Sequence, residues 1–194
     1  MRGREVIALI AVDVQNDFSS TGALAVKGGE EVVKPLNRVM KFVKKNLGVV
    51  VLTRDWHPKD SIHFKKWPAH CVQHTHGAEF IPGMETLGVA VISKGIKADE
   101  DVYSGFAGTY AGDGRTLNTL LYDEGVTSVL VGGLATEYCV KETALDAVKY
   151  GFKTYLLRDA SRAVNIKPDD EAKAVAEMKV AGVIITTVAE VLRW

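Results

Sequence analysis

Three features are scarce in this 194-residue chain: an excess charge of one sign, cysteine, and long apolar runs. Its 24 basic and 24 acidic residues cancel, which argues against a nucleic-acid binder and against docking on an acidic membrane surface. Two cysteines are too few for a disulfide framework. The longest early apolar run, residues 6–12, is too short to span a bilayer, and no cleavage site follows it. We therefore expect a soluble, cytoplasmic protein with no nucleic-acid or membrane partner.

What the chain does contain is a regular alternation of apolar runs and amphipathic stretches. The 47% hydrophobic content excludes disorder, and the length favours one domain over residues 1–194. The runs predict strands at residues 6–12, 49–53, 89–93, 127–131, 152–157 and 183–186. The amphipathic stretches predict helices near residues 32–43, 116–123, 137–150 and 169–181, with a short closing helix. Alternating strands and helices predict a three-layer α/β/α sandwich with a parallel sheet.

Chemically capable side chains follow the predicted strands, at the edge where parallel sheets bind ligands. Asp13, Lys94 and Cys139 would supply a proton acceptor, a cation and a nucleophile for acyl transfer. Thr136 as the helix N-cap would place Cys139 in a first turn, which favours a thiolate. Each residue alone also fits a structural role, as a loop cap, a solvated lysine or a small buried apolar side chain. Cys71 could bind a metal or form a disulfide with Cys139, but we interpret it as a packed thiol.

A second group of side chains has the composition of a metal site. One carboxylate and three imidazoles lie within sixteen residues: Asp55, His57, His63 and His70. Neutral imidazole and carboxylate suit Zn²⁺, Fe²⁺ or Mn²⁺. On an extended strand end, the Asp-x-His spacing directs both side chains to one side. Scattered histidines are more often surface residues, and His74 with His76 forms an alternative ligand pair.

Six short motifs span almost the whole chain. They are residues 13–18 (DVQNDF), 55–57 (DWH) with His63, 67–71 (WPAHC), 94–95 (KG), 103–106 (YSGF) and 132–140 (GGLATEYCV). Taken in this order, they resemble the nicotinamidase branch of the isochorismatase-like cysteine hydrolases. Relatives that cleave isochorismate or carbamoyl compounds share the Asp, Lys and Cys but generally lack the Asp-x-His metal ligands.

The resemblance implies a six-stranded parallel sheet in the order 3-2-1-4-5-6 and hydrolysis of nicotinamide to nicotinate and ammonia. It assigns Asp13 as the general base, Cys139 as the nucleophile and Lys94 as the third member of the triad. It also implies a cis peptide between Leu134 and Ala135, with the Ala135 and Cys139 amides forming the oxyanion hole. In that strand order Lys94 starts about 10 Å from strand one, so it must reach across strand two or its strand must curl.

The resemblance also implies how ligands bind. Phe18 and Trp67 would sandwich the pyridine ring, with Ala135 and Tyr138 as further contacts, although core packing alone would explain either aromatic residue. One divalent ion, Zn²⁺ before Fe²⁺ or Mn²⁺, would be held by Asp55, His57, His70 and, in some members, His63. The partner is then a small molecule, and a homo-oligomer is an open alternative. Two other functions remain: hydrolysis of another small amide or ureido compound, and non-catalytic metal or small-molecule binding.

Overall fold

A single seven-stranded sheet forms the centre of the molecule. The computed structural model describes residues 5–194. The strands are β1 Ile7–Val12, β2 Val49–Asp55, β3 Ala90–Lys94, β4 Thr109–Tyr110, β5 Ser128–Leu134, β6 Lys153–Arg162 and β7 Ile184–Thr186. Their order across the sheet is β4-β3-β2-β1-β5-β6-β7, and every pair is parallel except β3 with β4. The predicted α/β class with a mainly parallel sheet is confirmed.

The predicted strand count and order are wrong because of β4. This strand of two residues, Thr109–Tyr110, pairs antiparallel with β3 and adds an edge to the sheet. Two residues are too few to carry an alternating pattern, so no sequence signal marks them. Two other strands run further than predicted. β5 continues through Gly132 and Gly133, and β6 continues past Leu157 to Arg162, where glycines and charged residues interrupt the apolar pattern.

Within residues 5–194, five α-helices pack around the sheet. They are α1 Val33–Lys45, α2 Leu117–Asp123, α3 Lys141–Lys149, α4 Asp170–Val180 and α5 Val188–Val191. The predicted stripe of α1 is buried at Leu36, Val39, Met40 and Val43. Within residues 5–194 no helix combines the length and the apolar character needed to cross a membrane.

The apolar character of β1 explains the layered core. Leu9 and Ala11 belong to one buried cluster, which includes the apolar stripe of α1. Ala8, Ile10 and Val12 belong to the other cluster, with residues from α2 and α3. Successive side chains of a strand point to opposite faces, so a continuous apolar run is needed where both faces are covered. Complete burial of each large aliphatic side chain contributes about 1.5–3 kcal/mol.

The carboxyl ends of four strands meet at one edge of this sheet. β1 leads into Asp13, β2 ends at Asp55, β3 ends at Lys94, and β5 leads into the turn that carries Cys139. Gly133 allows β5 and β1 to approach, because a Cβ atom there would lie 2.1 Å from the carbonyl oxygen of Val12. The fold therefore brings the predicted side chains from distant parts of the sequence to one place.

Candidate active site

Asp13, Lys94 and Cys139 form a compact buried group, here called the thiol cluster. The Nζ atom of Lys94 lies 2.9 Å from Oδ2 of Asp13 and 3.4 Å from Sγ of Cys139. The same ammonium also donates to Oδ1 of Asp55. All four side chains are buried. One cation thus contacts two carboxylates and the thiol.

The position of Lys94 follows from the strand register. Lys94 pairs with Asp55 on β2, and β2 in turn pairs with β1. The lysine therefore reaches inward over β2 to meet Asp13 beyond it. The methylene groups of this long side chain are buried with its ammonium, which the two carboxylates compensate.

Asp13 is fixed by β2 as well as by Lys94. The Thr53 hydroxyl donates to Oδ1 of Asp13 at 2.6 Å, and the Asp13 backbone N–H donates to the Thr53 carbonyl at 3.2 Å. Asp13 has a φ of 49°, in the left-handed region that aspartate adopts more readily than most residues other than glycine and asparagine. These bonds hold the carboxylate at the end of β1 in one orientation.

The environment shifts the pKa values of Asp13 and Asp55 in opposite directions. Burial raises the pKa of Asp13, and the neighbouring Asp55 adds to this effect, while Lys94 opposes it. Burial acts on Asp55 too, but Lys94 and His57 hold the pKa of Asp55 well below its usual range. A pair of acids separated in this way fits two roles: a carboxyl that exchanges protons and a carboxylate that stays charged.

The thiol and the ammonium respond to the same burial. Burial raises the pKa of Cys139 well above its usual range, with Lys94 opposing and the two carboxylates adding to the shift. Burial alone would lower the pKa of Lys94, but Asp13 and Asp55 raise it well above the usual range. Burial therefore favours the neutral thiol of Cys139, and a nucleophilic role would need a base to take its proton. The expectation that the helix start favours a thiolate is wrong.

The turn that carries Cys139 also differs from the predicted helix start. Residues Thr136–Val140 form a π-helical turn before α3, with a non-helical conformation at Tyr138. Thr136 is not an N-cap, because its buried hydroxyl has no hydrogen-bond partner within residues 5–194. The peptide bond between Leu134 and Ala135 is cis, the geometry that the resemblance implies.

His57, His63 and His70 form a second group, here called the histidine cluster. One ring nitrogen from each lies within 4.8 Å of the other two, and all three side chains are buried. The His57 and His63 rings stack with centroids 4.7 Å apart. Three converging imidazoles with a carboxylate nearby are a donor set that suits Zn²⁺ and related divalent ions.

The hydrogen bonds of the three rings support metal binding. Nδ1 of His63 donates to Oδ1 of Asp101, and Nδ1 of His70 donates to the Pro68 carbonyl, each at 2.7 Å. Each bond leaves Nε2 as the open nitrogen. Neither ring nitrogen of the fully buried His57 has a hydrogen-bond partner among residues 5–194, and the Asp55 carboxylate lies 3.6 Å from its Nε2. An unpaired buried nitrogen is costly, and an ion held by these rings would satisfy it.

Burial also keeps two of these rings in the form that ligands need. It lowers the pKa of His63 and the pKa of His70, although Asp55 partly opposes both shifts. Metal-binding imidazoles must be neutral, so the lowered values favour the binding form at neutral pH. Gly95 makes room for the third ring, since a Cβ atom there would lie 2.4 Å from the ring of His57.

Asp55 lies between the two clusters. Besides its contact with Lys94, its Oδ1 is 3.6 Å from Nε2 of His57 and its Oδ2 is 3.9 Å from Nε2 of His70. The buried Gln15 side chain accepts from the Asp55 backbone N–H and donates to its carbonyl, both at 2.8 Å. One carboxylate, held firmly through its own backbone, is therefore shared by the thiol cluster and the histidine cluster.

A partly open pocket with a cavity volume of about 30 Å³ lies against both clusters. Its lining consists of Phe18, Leu24, Asp55, His63, Trp67, His70, Tyr103, Ala135, Tyr138, Cys139 and Val164. Trp67 donates through Nε1 to the Tyr103 hydroxyl at 3.0 Å, and it meets Tyr138 edge to face with centroids 5.0 Å apart. The four predicted substrate contacts thus lie around one cavity, whose largest lining side chains are flat rings.

The alternative metal ligands and the disulfide are not found. His74 and His76 are exposed and lie outside the histidine cluster, with His74 against Trp56. Cys71 and Cys139 are both free thiols. Cys71 is buried, and its backbone N–H donates to Oδ2 of Asp17 at 2.7 Å. This bond ties the loop that carries His70 to the segment that carries Phe18.

The sequence analysis gave no role to several residues of the site. Asp101, the partner of His63, lies in a polar loop that no pattern distinguishes. Leu24 and Val164 complete the pocket from separate loops, also without a signal. Gln15 and Tyr103 fall inside the quoted motifs, so a signal existed for both. Their functions became visible only from the contacts that they make.

Fold and site together define a protein of the α/β class with a buried thiol beside a candidate metal centre, an arrangement that suits a cysteine hydrolase. Residues 7–190 match the isochorismatase domain, and the chain belongs to the isochorismatase family. It is 39% identical to the nicotinamidase/pyrazinamidase of Mycobacterium tuberculosis over 184 residues, which cover 91% of this chain and 96% of that one.

Two solved structures extend the comparison. The pyrazinamidase of Pyrococcus horikoshii in complex with zinc is 43% identical and superposes with a TM-score of 0.84, covering 93% of this chain and 98% of the other. The protein PnC1 from L. infantum in complex with nicotinate is 36% identical with a TM-score of 0.84, covering 95% of this chain and 93% of the other. Both likenesses extend over nearly the full length of the proteins.

Proposed function

We propose that this chain, as one domain over residues 1–194, hydrolyses nicotinamide to nicotinate and ammonia. The observation that carries the proposal is the pocket. The Cys139 thiol, two histidines that are candidate metal ligands and several aromatic rings line this one cavity. The relatives support the substrate, since one is named a nicotinamidase/pyrazinamidase and another was solved with nicotinate. The aromatic lining formed by Phe18, Trp67 and Tyr138 suits a flat ring better than an aliphatic or ureido substrate.

The first half of the reaction makes a thioester. Asp13 takes the proton of Cys139, and Sγ attacks the amide carbon while the backbone N–H groups of Ala135 and Cys139 bind the developing oxyanion. Asp13, whose pKa is raised, then gives that proton to the departing nitrogen as the C–N bond breaks and ammonia leaves. Lys94 keeps its positive charge beside Asp13 and the sulfur throughout.

The second half hydrolyses the thioester. Asp13 accepts a proton from water, the oxygen attacks the carbonyl carbon, and the same two N–H groups hold the oxyanion. The C–S bond breaks, Asp13 returns its proton to the sulfur, and the product leaves as nicotinic acid, which releases its carboxyl proton to solvent to give nicotinate. The cycle thus restores the neutral thiol, the form that burial favours at rest.

A divalent ion would be held by His57, His70 and His63 with Asp55. Of the candidates, we propose Zn²⁺, because the donor set suits it and the P. horikoshii relative was solved with zinc. When bound, the ion supplies a Lewis acid that can accept the pyridine nitrogen and orient the ring. The chain's own part is to present neutral imidazoles and to keep Asp55 charged. The predicted cytoplasmic location and the possible homo-oligomer stay predictions.

An amide panel tests the proposal. The zinc-loaded protein is assayed for ammonia release from nicotinamide, from benzamide and from an aliphatic amide of similar size. We expect turnover of nicotinamide, weak turnover of benzamide, which lacks the ring nitrogen, and none of the aliphatic amide. Mass spectrometry with a slow substrate should show the acyl group on Cys139. Absence of ammonia from nicotinamide, with zinc content verified in the same sample, would overturn the proposal.

A further inference from the structure

Asp101 is a polar residue beside the histidine cluster that the proposed reaction does not use. It lies in the loop between β3 and β4, and its Oδ1 accepts from Nδ1 of His63 at 2.7 Å. Its other oxygen, Oδ2, pairs with the ammonium of Lys66. The carboxylate is partly shielded, with 22% of its side chain exposed, while His63 is almost fully buried.

This contact decides which nitrogen of His63 can bind an ion. An ionised carboxylate only accepts hydrogen bonds, so Nδ1 of His63 must carry the proton and Nε2 must keep its lone pair. A carboxylate behind a ligating imidazole also fixes the orientation of the ring and strengthens it as a ligand. Lys66 occupies the second oxygen of Asp101, which keeps the carboxylate in this position.

The same two chain segments are joined a second time. Trp67 follows Lys66 directly and donates to Tyr103, which lies two residues after Asp101. The segment with His63 and the loop with Asp101 therefore form one wall of the pocket through two contacts. His63 itself lines that pocket.

We propose that Asp101 is a positioning residue for metal binding, which acts by holding His63 in the tautomer and orientation of a ligand. The inference rests on the metal site of the proposed function. It adds that His63 is a ligand of the ion and that Asp101 is the residue that positions it. Loss of such a partner weakens metal affinity by roughly 10- to 100-fold.

A double-mutant cycle on zinc affinity tests this. Zinc dissociation constants are measured by competition with a chromophoric chelator for the wild type, Asp101→Ala, His63→Ala and the double variant. We expect Asp101→Ala to weaken zinc binding by roughly 10- to 100-fold in the wild type, and to have no further effect when His63 is already removed. A merely structural role would cost the same affinity in both backgrounds.

Two further variants keep the test sharp. Asp99→Ala removes an equal charge from an exposed position in the same loop, and we expect unchanged zinc affinity. Asp101→Asn keeps an oxygen that can accept from Nδ1, so its loss should be smaller than that of Asp101→Ala. Circular dichroism of the metal-free variants shows that each is folded. The visible spectrum of the Co²⁺-loaded Asp101→Ala protein should shift toward that of His63→Ala.

The outcomes separate the two proposals. A wild type that binds no zinc but still hydrolyses nicotinamide contradicts the metal site while leaving the thiol chemistry intact. A wild type that binds zinc, with Asp101→Ala and Asp101→Asn binding as tightly, overturns the positioning role alone. An equal loss from Asp101→Ala with and without His63 also overturns it, because the effect would then not pass through His63.

Discussion

The two clusters of this site solve the problem of buried polar groups in opposite ways. In the thiol cluster the charges compensate each other, since the Lys94 ammonium contacts Asp13, Asp55 and the Cys139 sulfur. In the histidine cluster, His57 is fully buried and neither of its ring nitrogens makes a hydrogen bond within residues 5–194. The first cluster has its ion-pair partners within the chain, whereas the second presents buried ring nitrogens that could bind an ion.

This difference separates what each cluster contributes. A compensated charge network depends on every member, because removing one leaves an unpaired buried charge. Buried metal ligands without an ion lower the free energy of unfolding. Binding of an ion to the folded protein raises it. Asp55 belongs to both arrangements, so the two clusters can be distinguished experimentally only through their other members.

The largest expected effect separates chemistry from metal binding. Cys139→Ala removes the proposed nucleophile, and we expect ammonia release from nicotinamide to fall by roughly four orders of magnitude or more. Zinc affinity should stay unchanged, because the sulfur is not part of the histidine cluster. Cys71→Ala is the matched control and should keep turnover within a few-fold. Turnover near the wild-type value in Cys139→Ala would remove the thiol from the mechanism.

The second prediction tests whether the thiol cluster is compensated internally. Lys94→Met keeps the length of the side chain but leaves two carboxylates buried without their cation, so we expect a loss of about 3–5 kcal/mol in the free energy of unfolding. Chemical denaturation of the metal-free protein measures it. Lys97→Met, which removes an exposed lysine, should stay within about 0.5 kcal/mol of the wild type. Equal stability of both variants would contradict the compensation.

The third prediction tests whether the histidine cluster awaits a ligand. Replacement of His57 by leucine removes two buried nitrogens that make no hydrogen bond, so the metal-free variant should be as stable as the wild type or more stable. Zinc at about 100 times its dissociation constant should stabilise the wild type by about 2.7 kcal/mol and the variant far less. Thermal unfolding with and without zinc checks both. Equal stabilisation of both proteins by zinc would contradict metal binding by His57.

The smallest effect concerns pH and sharpens the role of Asp13. Burial raises the pKa of Asp13, so this carboxyl stays protonated up to a higher pH than usual. A protonated carboxyl cannot accept the proton of Cys139. We therefore expect kcat/KM for nicotinamide to fall with decreasing pH already above the usual pKa range of aspartic acid. The profile is measured with zinc saturating at every pH. If kcat/KM falls only within the usual pKa range of aspartic acid, the loss of activity comes from a group other than Asp13.

Much of the fold and of the thiol cluster could be predicted because local pattern and chain direction carry the information. The apolar run that became β1 and the stripe of α1 reflect burial, which acts on each segment separately. Parallel strands then bring their carboxyl ends together, so Asp13, Lys94 and Cys139 could be grouped before any contact was known. β4 could not be predicted, since a two-residue strand exists only through its partner.

The sequence by itself determined the alternation of strands and helices, the edge where the reactive side chains meet, and the ligand types near residues 55–70. Only the tertiary structure decided that burial raises the pKa of Cys139, that Lys94 crosses β2 to reach Asp13, and that Asp101 contacts His63 from 38 residues away. The reason is physical. Burial and charge compensation depend on which groups surround a side chain in space, and residues far apart in the chain supply those groups.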